Sequence, residues 1–74
     1  METYIDVILN SDSEKASVVF NKLKEMGLKY SIGEHDFFYD WKGIVKIPDE
    51  LAFVDSIREK LKGDNVILKF TTIR

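Results

Sequence analysis

No cysteine occurs among these 74 residues, so no disulfide staples the chain and no thiolate is available to a metal. Soft-metal chaperones, which grip their cargo with a Cys-x-x-Cys pair, are excluded with it. Proline, histidine and tryptophan occur once each, as Pro48, His35 and Trp41. No apolar run approaches the roughly 20 residues that a membrane-spanning helix needs, so no membrane partner is expected. No basic segment precedes an apolar one at the start of the chain, which argues against a secretory signal and makes a cytoplasmic location the expectation. Basic charge is not in excess either. Eleven Lys and Arg are interleaved with thirteen Asp and Glu, for a net charge of −2. Without a phosphate-tracking stripe, nucleic acid is not an expected partner.

What is present is an ordinary globular composition, 45% hydrophobic and 32% charged, in a chain that reads as a single domain over residues 1–74. A chain this short buries only about 60% of the surface that its unfolded form exposes. Ordering the backbone costs roughly 1–2 kcal/mol per residue, so a dense core or a partner surface must offset it.

Tyr4 to Leu9 alternates, with Ile5, Val7 and Leu9 on one face and Tyr4, Asp6 and Ile8 on the other, which predicts a first strand. Asn10 to Ser13 interrupts the pattern, and Ser11 followed by Glu14 fits a capping box; Asp12 or Ser13 would cap equally well. Ala16, Val19, Phe20, Leu23 and Met26 then recur at helical spacing until Gly27, the expected stop. Leu28, Tyr30 and Ile32 share one strand parity, whereas Phe37, Tyr39, Val45 and Ile47 share the other. Either a bulge at Gly33 to Asp36 shifts the register of one long strand that turns at Asp40 to Gly43, or residues 33–36 are themselves the hairpin loop. Turn chemistry favours Asp40 to Gly43. Pro48 ends strand pairing and Asp49 is placed to cap a second helix, with Leu51, Val54, Ile57 and Leu61 as its buried stripe and Phe53 on its edge. Gly63-Asp64-Asn65 leads into a last strand from Val66 to Ile73 in which Val66, Leu68 and Phe70 point inward.

Strand, helix, strand, strand, helix, strand is the order of the split βαβ, or ferredoxin-like, α+β sandwich: a four-stranded antiparallel sheet with both helices on one face. The core is then expected to take in Phe20, Leu23, Val54, Ile57, Val7 and Leu68. Residues Val7 to Ile32, read as strand, acidic loop, helix, glycine and strand, resemble the first half of an ACT-type regulatory domain. That resemblance implies amino-acid sensing at the first loop. Such families carry Asp-Arg-Pro-Gly there, and Asn10-Ser11-Asp12-Ser13 keeps only the Asp.

Other functions of the same topology lack their residues. No Arg stands between Asn10 and Ser13 to cradle a phosphate as in acylphosphatases, and the outward strand positions Tyr4, Asp6, Ile8, Ile67, Lys69, Thr71 and Ile73 are too apolar for an RNA-binding sheet. No nucleophile, base and oxyanion set can be assembled, so no catalytic residue and no cofactor is expected. Three candidate sites follow. Asn10, Ser11, Asp12 and Ser13 form the loop where a small-molecule ligand would meet helix N-terminal amides, with plain capping as the competing role. Glu34, His35 and Asp36 offer one imidazole and two carboxylates to a divalent cation, if a loop lets them converge. Tyr4, Ile8, Ile44, Ile67 and Ile73 on the outward face, with Trp41 at a hairpin tip, form an apolar set of the kind that marks an interface. The expected function is a small non-enzymatic ligand-sensing or protein-interaction module, a homodimer or one half of a protein complex. A cation-binding or catalytic protein using His35 is the alternative.

Overall fold

A computed structural model describes residues 1–73. The elements are β1 (Glu2–Ile8), α1 (Ala16–Glu25), β2 (Lys29–Tyr30), β3 (Phe37–Asp40), α2 (Ile47–Lys60) and β4 (Ile67–Ile73). All neighbouring strands are antiparallel in the order β2-β3-β1-β4, the ferredoxin-like arrangement expected from the element order. No helix among the described residues is long and apolar enough to cross a membrane.

Register assigns the two faces. Ile5 lies opposite Phe37 on one side and Phe70 on the other, and Val7 opposite Leu68. This face meets both helices: Ile5 and Phe37 share one buried cluster with Val19 and Leu23 of α1 and with Ile57 and Leu61 at α2. Phe20 sets its ring edge-on to Phe37 at 4.9 Å. A second aromatic group, Tyr39, Trp41 and Phe53, closes the other end, with centroids 4.5–5.1 Å apart. Of the six residues expected inside, Leu23 and Ile57 are wholly buried, whereas Phe20, Val54, Val7 and Leu68 are half-buried. Two short helices do not cover four strands completely.

The helix termini differ from expectation. α1 begins at Ala16 behind Lys15, whose carbonyl accepts the Val18 and Val19 N–H groups, and no side chain caps it. The capping box at Ser11 and Glu14 does not form: the Glu14 N–H that Ser11 would accept is donated to the Asp64 carbonyl, and the Glu14 carboxylate accepts the Lys15 N–H instead. Gly27 does stop the helix, at φ +90, with its N–H bonded to the Lys24 carbonyl and the Leu28 N–H to that of Leu23. Those two bonds are a Schellman motif, which needs a left-handed residue where Gly27 stands. α2 starts at Ile47, so Asp49 lies within its first turn rather than capping it, and Pro48 sits where a missing N–H costs nothing. Its buried stripe runs along Phe53, Val54, Ile57 and Leu61, leaving Leu51 exposed.

The hairpin is the other of the two readings. β2 pairs with β3 through Lys29 opposite Phe38 and Tyr30 opposite Phe37, and the Ser31 N–H donates to the Asp36 carbonyl, so residues 31–36 form the loop. Asp40 to Gly43 is still a turn. The Asp40 carboxylate accepts the Lys42 N–H at 2.8 Å and Lys42 adopts φ +56, but the chain turns out of the sheet toward α2. Val45 is therefore buried in a linker, and Ile47 belongs to a helix, neither in a strand.

Candidate functional site

The helix-free face of the sheet carries the most unusual chemistry. Tyr4 lies opposite Phe38 and Thr71, Asp6 opposite Lys69, and Ile8 opposite Ile67. His35 reaches over this face from the hairpin loop. Its Nδ1 donates to Asp6 Oδ2 at 2.9 Å, and its ring stacks on Tyr4 with centroids 4.7 Å apart. The other Asp6 oxygen accepts the Asp36 N–H at 3.2 Å, and Asp36 in turn accepts the Val7 N–H at 2.9 Å. The paired register of β1 with β3 ends at Ile5 and Phe37, so Asp36 supplies the acceptor that Val7 would otherwise lack. The bond from His35 holds the Asp6 carboxyl below its ordinary range, helped by the Asp36 N–H and by the charges of His35 and Lys69, while partial burial opposes them. The Tyr4 hydroxyl donates to Glu2 at 3.0 Å, and that bond pushes its ionisation up.

An aspartate orienting a histidine is half of a nucleophilic triad, yet the His35 side chain bonds only to Asp6 among the described residues. The arrangement ties the hairpin loop to β1. Nor are Glu34, His35 and Asp36 gathered toward one point: His35 turns to Asp6, Asp36 to the Val7 backbone, and Glu34 stays exposed. Among the described residues no group of three or more His, Asp or Glu is placed to hold a metal.

The Asn10 and Ser13 side chains of the β1–α1 loop are engaged within the fold. Asn10 Oδ1 accepts the Asp12 N–H at 2.8 Å, the Ser13 hydroxyl accepts the Asn10 N–H and donates to the Asn65 carbonyl at 2.6 Å, and Asn65 donates to the Asp12 carbonyl. Ser11 is exposed in the same turn. Beneath this loop Lys22 Nζ contacts both oxygens of the buried Asp64, at 2.8 and 3.1 Å. Asn10 to Ser13 thus ties the end of β1 to the loop that leads into β4.

Of the expected interface residues, Tyr4, Ile8, Ile67 and Ile73 share the helix-free face, and the three isoleucines are 52–59% exposed. Trp41 and Ile44 are elsewhere. Trp41 is not at a hairpin tip; it lies half-buried against Tyr39 and Phe53 with its indole N–H donated to Thr3 at 2.8 Å. Ile44 sits in the β3–α2 linker, 94% exposed.

Two features of this region come from strand order rather than from any local pattern. The Asp6–His35 pair joins residues 29 apart, and the outward parity of Asp6 was its one sequence signal. Among the described residues β4 is bonded to β1 alone, leaving its other side an open edge seven residues long. Beside that edge, between it and the C-terminal end of α2, runs a groove of about 320 Å³ lined by Arg58, Leu61, Lys62, Val66, Leu68 and Phe70. Compared with known proteins, the chain matches no family model, no curated protein and no solved structure. The ACT-type likeness therefore remains one of element order in the first half of the chain.

Proposed function

We propose that this chain is a non-enzymatic protein-interaction module that associates with a second copy of itself through the helix-free side and open edge of its sheet. One observation carries the reading: Ile8, Ile67 and Ile73 stand exposed on the same face, two of them on a strand that has no neighbour on one side. Isolated exposed isoleucines are normal, but a group beside an unpaired strand edge is a surface prone to meet another chain. Asp6, Lys69 and Thr71 between them keep that face polar enough for a weak, reversible contact rather than a permanent one.

Magnitudes set the range in which to look. Covering a half-exposed isoleucine stabilises by roughly 1 kcal/mol, and the β4 strands of two copies contribute four, against an association cost of about 4–15 kcal/mol. Backbone bonds and the remaining contacts must supply the surplus, so binding in the micromolar range, about −8 kcal/mol, is the scale expected. Sedimentation equilibrium over a wide span of concentration tests this. A mass that rises toward twice the monomer, and that falls back in Ile8→Lys and Ile67→Glu chains of unchanged melting temperature, is the expected result. A monomer at every concentration refutes the reading.

A further inference from the structure

Resting on that reading, we infer that the two copies join β4 to β4 in antiparallel register about a two-fold axis at Phe70, forming one continuous eight-stranded sheet. β4 is the strand on which a second chain can be added at length: the opposite edge, β2, has only two residues. No proline or bulge blunts β4, and Lys69 is its single charge.

Symmetry then restricts the register. Antiparallel strands related by a two-fold axis place a residue opposite its own copy at the axis, and opposed side chains share a face. Centring on Lys69 sets two like charges face to face, which destabilises the pair. Centring on Phe70 sets Phe70 opposite itself, Lys69 opposite Thr71 of the second copy, Leu68 opposite Thr72, and Ile67 opposite Ile73. This register also uses the whole of β4, because Phe70 is the midpoint of Ile67–Ile73. Both exposed isoleucines of each strand thereby find an isoleucine, and the aromatic pair sits on the axis.

The neighbouring surfaces agree with that operator. Leu68, Phe70 and Thr72 of an added strand point to the helix side, where the groove floored by Leu61, Val66, Leu68 and Phe70 lies open. The same axis runs α2 antiparallel to its copy. The exposed flank beside the groove carries Asp55, Arg58 and Glu59 of α2 and Lys62 of the turn after it, an order that becomes its own charge complement when reversed. Asp55 then faces the Lys62 end of the second copy, and Arg58 the Glu59 end.

Because the chain has no cysteine, single substitutions report register without background. Lys69→Cys and Thr71→Cys chains, both altered on the helix-free face, are mixed in equal amounts and oxidised mildly at a concentration where the unaltered chain is associated. In the Phe70-centred register positions 69 and 71 of different copies are direct neighbours, with Cα atoms about 4.5–5.5 Å apart. Two copies of position 69 are offset by two residues and lie beyond the ~7 Å that a disulfide can span. The mixed disulfide should therefore exceed either homodisulfide several-fold, whereas each variant oxidised alone should remain unlinked. A predominant 69–69 product moves the axis to Lys69 and overturns the inference. Association in sedimentation with no 69–71 product overturns edge pairing while leaving self-association standing. A monomer throughout removes both.

Discussion

Replacing Phe37 by alanine is the severest test of the core. The ring is wholly buried, lies opposite Ile5 in the sheet, and touches the rings of Phe20 at 4.9 Å and Tyr30 at 5.1 Å. Phe→Ala changes at such sites cost about 3–5 kcal/mol in lost transfer energy and cavity, and two ring contacts place this one at the upper end. A domain of this size is stable by roughly 4–11 kcal/mol in all. Phe37→Ala should thus remove half or more of the stability and lower the melting temperature by roughly 15–30 °C. Phe20 is the internal control. It caps Phe37 from α1 but is only half-buried, so Phe20→Ala should cost about half as much. Urea unfolding followed by far-ultraviolet circular dichroism, with the slope compared between variants, gives both values. A Phe37→Ala midpoint close to that of the unaltered chain, or a larger loss at Phe20 than at Phe37, would mean that the face assigned to the core is wrong.

Lys22→Ala should cost about 1–3 kcal/mol, because it leaves the buried Asp64 carboxylate without its cation, and Lys22→Ala with Asp64→Asn should cost less than the two single changes added together. The Asp6 carboxyl titrates lower folded than unfolded, so the unfolded chain binds the extra proton: its stabilisation is complete above the unfolded value of about 4 and is lost as pH falls through the depressed folded value. Unfolding midpoints of Asp6→Asn and the unaltered chain should therefore converge on acidification below pH ~4, and a gap that widens there would reverse the sign of the assignment. Trp41→Phe removes the indole bond to the buried Thr3 and should cost about 1 kcal/mol. Acrylamide quenching of Trp41 in the folded chain as efficient as in urea would contradict its half-buried place beside Phe53.

Elements that follow from period and punctuation were legible in the sequence. Alternation from Tyr4 onward identified β1, helical spacing through Leu23 identified α1, and Gly27 is the left-handed stop that the pattern required. The hairpin was assigned to the wrong turn because Asp40-Trp41-Lys42-Gly43 does form a turn. Local chemistry fixes a bend in the backbone, and what the chain does beyond it depends on tertiary pairing. The capping box fails for a related reason: the Glu14 N–H bonds to the carbonyl of Asp64, 50 residues away, and that tertiary bond replaces the local cap. Trp41 reads as an interface anchor at a hairpin tip, yet its N–H partner is Thr3, a neighbour only once β1 and β3 are side by side. On the helix-free face, parity assigned Tyr4, Ile8, Ile67 and Ile73 correctly, because period 2 holds within a strand. Ile44, expected on the outward strand face, lies instead in the linker between β3 and α2, because no strand follows the Asp40 to Gly43 turn. The Asp6–His35 pair and the unpaired side of β4 belong to no local pattern; they follow from which strands are neighbours.

Hydrogen exchange of the β4 amides, measured in dilute and in concentrated solution, tests self-association through the open edge most directly. Amides of β4 that point away from β1 have no strand partner in the isolated chain and should exchange rapidly when dilute. On concentration, these amides within Ile67–Ile73 should become protected together, while those of the 31–36 loop exchange as before. Rapid exchange of the same β4 amides at every concentration, in a chain whose remaining amides stay protected, would contradict the account.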